Sequence, residues 1–129
     1  QSFYVYFFTD STFPMFNPDK DPGKLIPASP SNITKVKKWV DGLGANGGNG
    51  AEASTIVEAI KLKPDAIFFL SDGGFDPQTA NIVRKENRDR IPINTIGFFD
   101  KRAEPLLRQM AEESGGKHRF IELDLPSRR

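Results

Sequence analysis

Cysteine is absent from the 129 residues, and histidine occurs once, at His118. The first absence excludes thiol nucleophiles, disulfides and Cys-ligated zinc, and it leaves the compartment open. With no Gly-x-Ser-x-Gly elbow either, His118 has no triad to complete, and its place after a Gly-Gly turn between Lys117 and Arg119 predicts an exposed or strand-start histidine. Charge of one sign is also lacking: 18 basic residues against 17 acidic leave a net charge of +1. No global field therefore steers the chain toward nucleic acid or an anionic membrane. No apolar run approaches the roughly 20 residues of a membrane-spanning helix, so no membrane insertion by this chain is expected.

A chain of this length is expected to form a single domain, 1–129, that buries roughly two-thirds of the surface its unfolded form exposes. It opens at Gln1 and enters an apolar run by Phe3, which reads as a fragment or a processed product. Residues 124–129 read as a tail.

The central stretch is AIFFLSDGGF, residues 66–75. Five apolar residues closed by Ser71-Asp72-Gly73-Gly74 predict a strand buried on both faces that delivers Asp72 to its carboxyl end, the rim where open α/β sheets bind ligands. FYVYFF, residues 3–8, predicts another buried strand, ended by Thr9-Asp10-Ser11. A proline-rich surface connection follows, in which Leu25 and Ile26 suit a short edge strand beside Pro27.

Ser31 or Asn32 is expected to cap a helix with Ile33, Val36, Val40 and Leu43 at helical spacing. The glycine loop after it contains a literal Gly-x-Gly-x-x-Gly from Gly42 to Gly47. A dinucleotide fingerprint needs a preceding strand, and this one follows a helix, so a connecting loop is the better reading. A second helix is expected from about Glu52 to Leu62, and its amino end offers unpaired N–H groups near the loop. A polar helix after Asp76-Pro77, a strand over 91–99, a helix over 103–114 and a strand over 118–123 complete the alternation. The economical architecture is an α/β fold with a mostly parallel sheet and helices on both faces.

In order and spacing these pieces resemble a von Willebrand factor A domain, the integrin I-domain type of fold. FYVYFFTDS, KKWVDGL, the glycine loop, AIFFLSDGGF, INTIGFF and LLRQMAEESGGKHRFI carry the resemblance over nearly the whole chain. It implies a Rossmann-like three-layer α/β/α sandwich with a metal-ion-dependent adhesion site at the carboxyl edge of the sheet. That site combines Asp-x-Ser-x-Ser after the first strand, a threonine in the glycine loop and an aspartate after the fourth strand, around Mg²⁺ or Mn²⁺. Asp72, flanked by Ser71 and Gly73, matches the third element. The expected threonine falls on Gly50, which has no side-chain oxygen, although Asn49 just before it offers a carbonyl. Asp10 and Ser11 imitate the first element loosely.

By the resemblance, residues 3–9 correspond to the family's second strand, so its first strand and Asp-x-Ser-x-Ser motif are missing from this sequence. The family places that strand between those read at residues 3–8 and 66–70. Its absence from the sheet would leave a gap of about 10 Å, closed by its neighbours, by another segment or by strand exchange with a second copy.

The function so implied is a non-enzymatic protein-binding module, of adhesion or scaffold type, with a degenerate or incomplete divalent-metal site. Phe75, Phe98 and Phe99 at loop tips are candidate partner contacts. The alternative is a small metal-dependent hydrolase or phosphotransfer domain with Asp10 as nucleophile and Asp72 as metal ligand.

Overall fold

A computed structural model of the chain describes residues 1–16, 21–43, 50–72, 74–98 and 100–122. Asn49, Gly73, Phe99 and the tail at 124–129 lie outside the described residues. The chain divides into two compact units, Gln1–Pro64 and Asp65–Arg129, and each is described by itself.

In the first unit the aromatic run is not one strand. It is split into β1 (Ser2–Phe3), which pairs antiparallel with β4 (Ile26–Pro27), and β2 (Phe7–Phe8), which pairs antiparallel with β3 (Thr12–Phe13). The cause is local turn chemistry. Thr9, Asp10 and Ser11 reverse the chain so that Phe7 lies opposite Phe13, with ring centroids 6.1 Å apart. Between the two short strands the rings of Tyr4 and Tyr6 meet at 4.5 Å, and the Tyr4 hydroxyl donates to Asp21. Burial, reinforced by the Asp21 carboxylate, raises the Tyr4 phenol well above its ordinary value.

Helix α1 (Pro30–Asp41) begins two residues earlier than its sequence suggests. Ser29 is the cap, its hydroxyl accepting from Asn32 N–H at 3.2 Å, and Pro30 opens the first turn, where its missing N–H costs nothing. None of its residues is buried, and Ile33 and Val40 are exposed. Helix α2 (Glu52–Lys61) buries Glu52, Thr55, Ile56 and Ile60.

The second unit is a parallel three-stranded sheet in the order β5 (Ile67–Ser71), β6 (Ile93–Phe98), β7 (His118–Ile121). The connections are α3 (Gln78–Glu86) and, after a 3₁₀ turn at Lys101–Ala103, α4 (Glu104–Ser114). Helix α3 buries Ala80 and Val83, α4 buries Leu107, Met110 and Ala111, and one face of the sheet supplies Ile67, Phe69, Ile93 and Thr95 to the same core. The opposite side chains of β5 are not buried: Phe68 is 67% and Leu70 53% exposed. The expectation of burial on both faces is therefore corrected. An apolar run has the composition of a doubly covered strand, but the alternating burial of β5 shows one covered face.

The junction of α4 with β6 is tight. Gly115, at φ +83°, ends the helix, and Gly116 N–H donates back to Ala111 O at 2.8 Å. The Ser114 hydroxyl accepts from Ile93 N–H at 2.9 Å. A Cβ on Gly116 would lie 2.2 Å from Ile93 O. Gly116→Ala should therefore destabilise the unit by at least about 2 kcal/mol, because backbone must move, whereas Gly115→Ala, with open space around its Cβ, should cost nearer about 1 kcal/mol. Urea denaturation of the two variants measures the difference.

His118 opens β7, the strand-start alternative, and its side chain is not exposed, at 2% accessible. Its Nδ1 lies 2.9 Å from Thr95 Oγ1, which lies 2.9 Å from Leu107 O. A carbonyl only accepts, so the Thr95 hydroxyl donates to Leu107 and accepts from Nδ1–H. Nε2 is then a lone pair with no hydrogen bond among the described residues, 3.6 Å from Glu104 Oε1. Burial pushes the His118 imidazole below its ordinary value, the Arg108 charge adds to this, and Glu104 opposes it. As pH falls through about 6.5, the unfolded chain takes up a proton that the folded chain refuses, so stability present above that pH is lost toward the lower folded value. The urea midpoint should fall on going from about pH 7 to about pH 5.5, and His118→Gln should remove that part of the slope.

Candidate functional site

Asp72 follows the last residue of β5, so the sheet carries it to its carboxyl edge, as the sequence predicts. It is exposed, and its carboxylate has no hydrogen bond or ion pair among the described residues. Ser71 before it is buried. The Phe75 ring stands edge-on to Phe69, with centroids 5.8 Å apart.

Two other carboxylates near the carboxyl ends of β5 and β6 are already committed. Asp76 Oδ1 accepts from Gln78 N–H at 2.9 Å and closes the start of α3. Asp100 accepts from Arg102 N–H at 2.9 Å and from Arg102 Nε at 2.7 Å. The Arg102 guanidinium and N–H together hold the Asp100 carboxyl below the usual carboxylate range. Arg102 was not a candidate from sequence, although Asp-x-Arg directly after an apolar strand was the available signal. Among the described residues, Asp72 is thus left uncommitted directly after β5, while Asp100 is paired with Arg102.

The remaining candidates belong to the first unit. Asp10 and Ser11 occupy the hairpin turn between β2 and β3, not the rim of a parallel sheet. The Thr9 hydroxyl donates to Asp10 Oδ1 at 3.0 Å. The start of α2 is brought to this turn: Ala51 N–H donates to Thr9 O at 3.1 Å, and the Thr12 and Thr55 hydroxyls meet at 2.8 Å. Gly50, at φ +125°, donates its N–H to Glu52 Oε2 at 2.9 Å. The Asp10 turn and the Gly50 segment therefore come together, as two elements of one site would.

Mg²⁺ requires about six oxygens in an octahedron. Among the described residues, no three His, Asp or Glu side chains gather to hold a metal. Gly50 supplies no side-chain oxygen, its N–H is turned to Glu52, and Asp10 accepts from Thr9.

Parallel strands alternating with helices define an α/β protein. A solved structure with this arrangement is a von Willebrand factor type A protein from Catenulispora acidiphila. It superposes on 93% of this chain with a TM-score of 0.74 at 20% identity. The likeness shows the fold, which is of the von Willebrand factor A type. This chain spans 29% of that structure's length. No protein-family model matches the sequence, and no curated protein does.

The Thr12–Thr55 pair holds the Asp10 turn to α2, and Thr55 is buried. Thr55→Val strands the Thr12 hydroxyl and should cost about 1–2 kcal/mol, whereas Thr12→Val with Thr55→Val should recover most of it, since no unpaired hydroxyl remains. A double-mutant cycle in urea reads the coupling.

Proposed function

We propose that this chain is a non-enzymatic protein-binding module that engages a protein partner through the loops at the carboxyl edge of its parallel sheet, and that its divalent-metal site is degenerate. The observation that carries the reading is the state of the acids on that edge. Asp76 and Asp100 are consumed by local structure, while Asp72 stands exposed and uncommitted. A carboxylate presented on a loop, with no bound base or nucleophile beside it among the described residues, is suited to pairing with a cation of a partner surface rather than to turnover. The von Willebrand factor A fold supports the same reading, since binding loops carried on a rigid sheet are its general plan.

Photo-crosslinking tests this. Benzoylphenylalanine placed at Gln78, exposed at the start of α3, should give a discrete protein adduct in the source cells, and the same group at Glu112 on α4 should not. Asp72→Ala should weaken the adduct, and chelation of divalent ions should leave it unchanged. Equal labelling from both positions, or none, overturns the binding surface. Loss on chelation alone overturns the degenerate metal site and leaves the surface standing.

A further inference from the structure

The parallel sheet of the second unit has two edges of opposite character. At the β7 edge, exposed Arg119 lies within the strand and exposed Lys117 and Glu122 flank it, which is the charged protection usual for a strand edge. At the β5 edge, the residues from Ile67 to Ser71 carry no charge and no proline, and they pair with β6 without a bulge. That edge has none of the usual protection.

Its outer ladder is also open. In a parallel ladder alternate residues turn their main-chain groups to one neighbour, and Ile67 N–H donates to Pro92 O at 2.9 Å, so Ile67, Phe69 and Ser71 bond β6. The N–H and C=O groups of Phe68 and Leu70 therefore point the other way, and β5 has no second strand beside it among the described residues. The same two residues carry the side chains on the uncovered face, 67% and 53% exposed.

We propose that this edge pairs with the β5 edge of a second copy of the chain, antiparallel and centred on Phe69. In that register Phe68 faces Leu70 of the second copy, and Leu70 faces its Phe68. These are the residues with open main-chain groups, so each facing pair exchanges both N–H···O bonds, and the phenyl and isobutyl side chains meet on one face. Ile67 falls opposite Ser71, and Asp72 falls opposite Ala66, so no like charges meet. In-register parallel pairing would instead set Asp72 beside its own copy. The antiparallel contact is isologous and closes at two copies, so it ends the sheet rather than extending it.

Sedimentation velocity of the whole chain over a concentration series should show a reversible monomer–dimer equilibrium. Phe68→Lys, at an exposed site where the fold tolerates charge, should weaken it at least about tenfold with the far-ultraviolet circular dichroism unchanged, whereas Ile121→Lys at the β7 edge should leave it as it is. The lack of cysteine lets disulfide formation read the register directly. Phe68→Cys mixed with Leu70→Cys should crosslink on mild oxidation, because the facing Cα atoms lie about 5.5 Å apart, and either variant alone should crosslink at least about tenfold more slowly. A monomer even at millimolar concentration, growth beyond a dimer, an unchanged dissociation constant in Phe68→Lys, or equal crosslinking of single and mixed variants overturns the pairing.

Discussion

The hydroxyl of Thr95 is the point on which the second unit depends. Thr95 sits in the middle of the central strand β6, fully buried, and its single oxygen donates to Leu107 of α4 while accepting from His118 of β7. Its N–H donates to Lys117 O at 2.9 Å, continuing the ladder to the same strand. Three elements are thereby held in one register by one side chain of the right length. A valine there would fill the volume and leave the Leu107 and His118 groups to find other partners. The same register brings Gly97 under Leu107 and Phe120, where the absence of a side chain lets helix and sheet approach.

That rigid body presents two surfaces of different chemistry. At the carboxyl edge the strands end in acids, and short-range bonds consume two of them and leave Asp72. At the other edge the carboxyl-terminal turns of α3 and α4 converge with the start of β6 around a hollow lined by Val83, Asn87 and Met110. Basic residues Arg84 and Lys85 in the last turn of α3 also meet the negative end of its dipole.

Much of the second unit is legible in the sequence. The strands over 67–71, 93–98 and 118–121 and the helices between them follow from apolar runs and helical spacing, and Asp72 falls at a strand end as read. The first unit is less legible. FYVYFF has the composition of one strand, yet its two ends pair with Ile26–Pro27 and Thr12–Phe13, and antiparallel partners of that kind leave no period to detect. Asp10 consequently occupies a hairpin turn. Ser29 in place of Ser31 or Asn32 is a smaller miss, set by the fit of Pro30 in the first helical turn.

What the sequence by itself determined is the alternation of strand and helix, the class of fold and the position of an acid after β5, because periodicity and turn chemistry act over a few residues. Which faces of the strands are covered, that the His118 side chain is buried against Thr95, and that Asp10 lies in a hairpin turn were decided by tertiary structure. Those outcomes depend on residues distant in the chain meeting at a fixed register, and no local pattern encodes a partner's position.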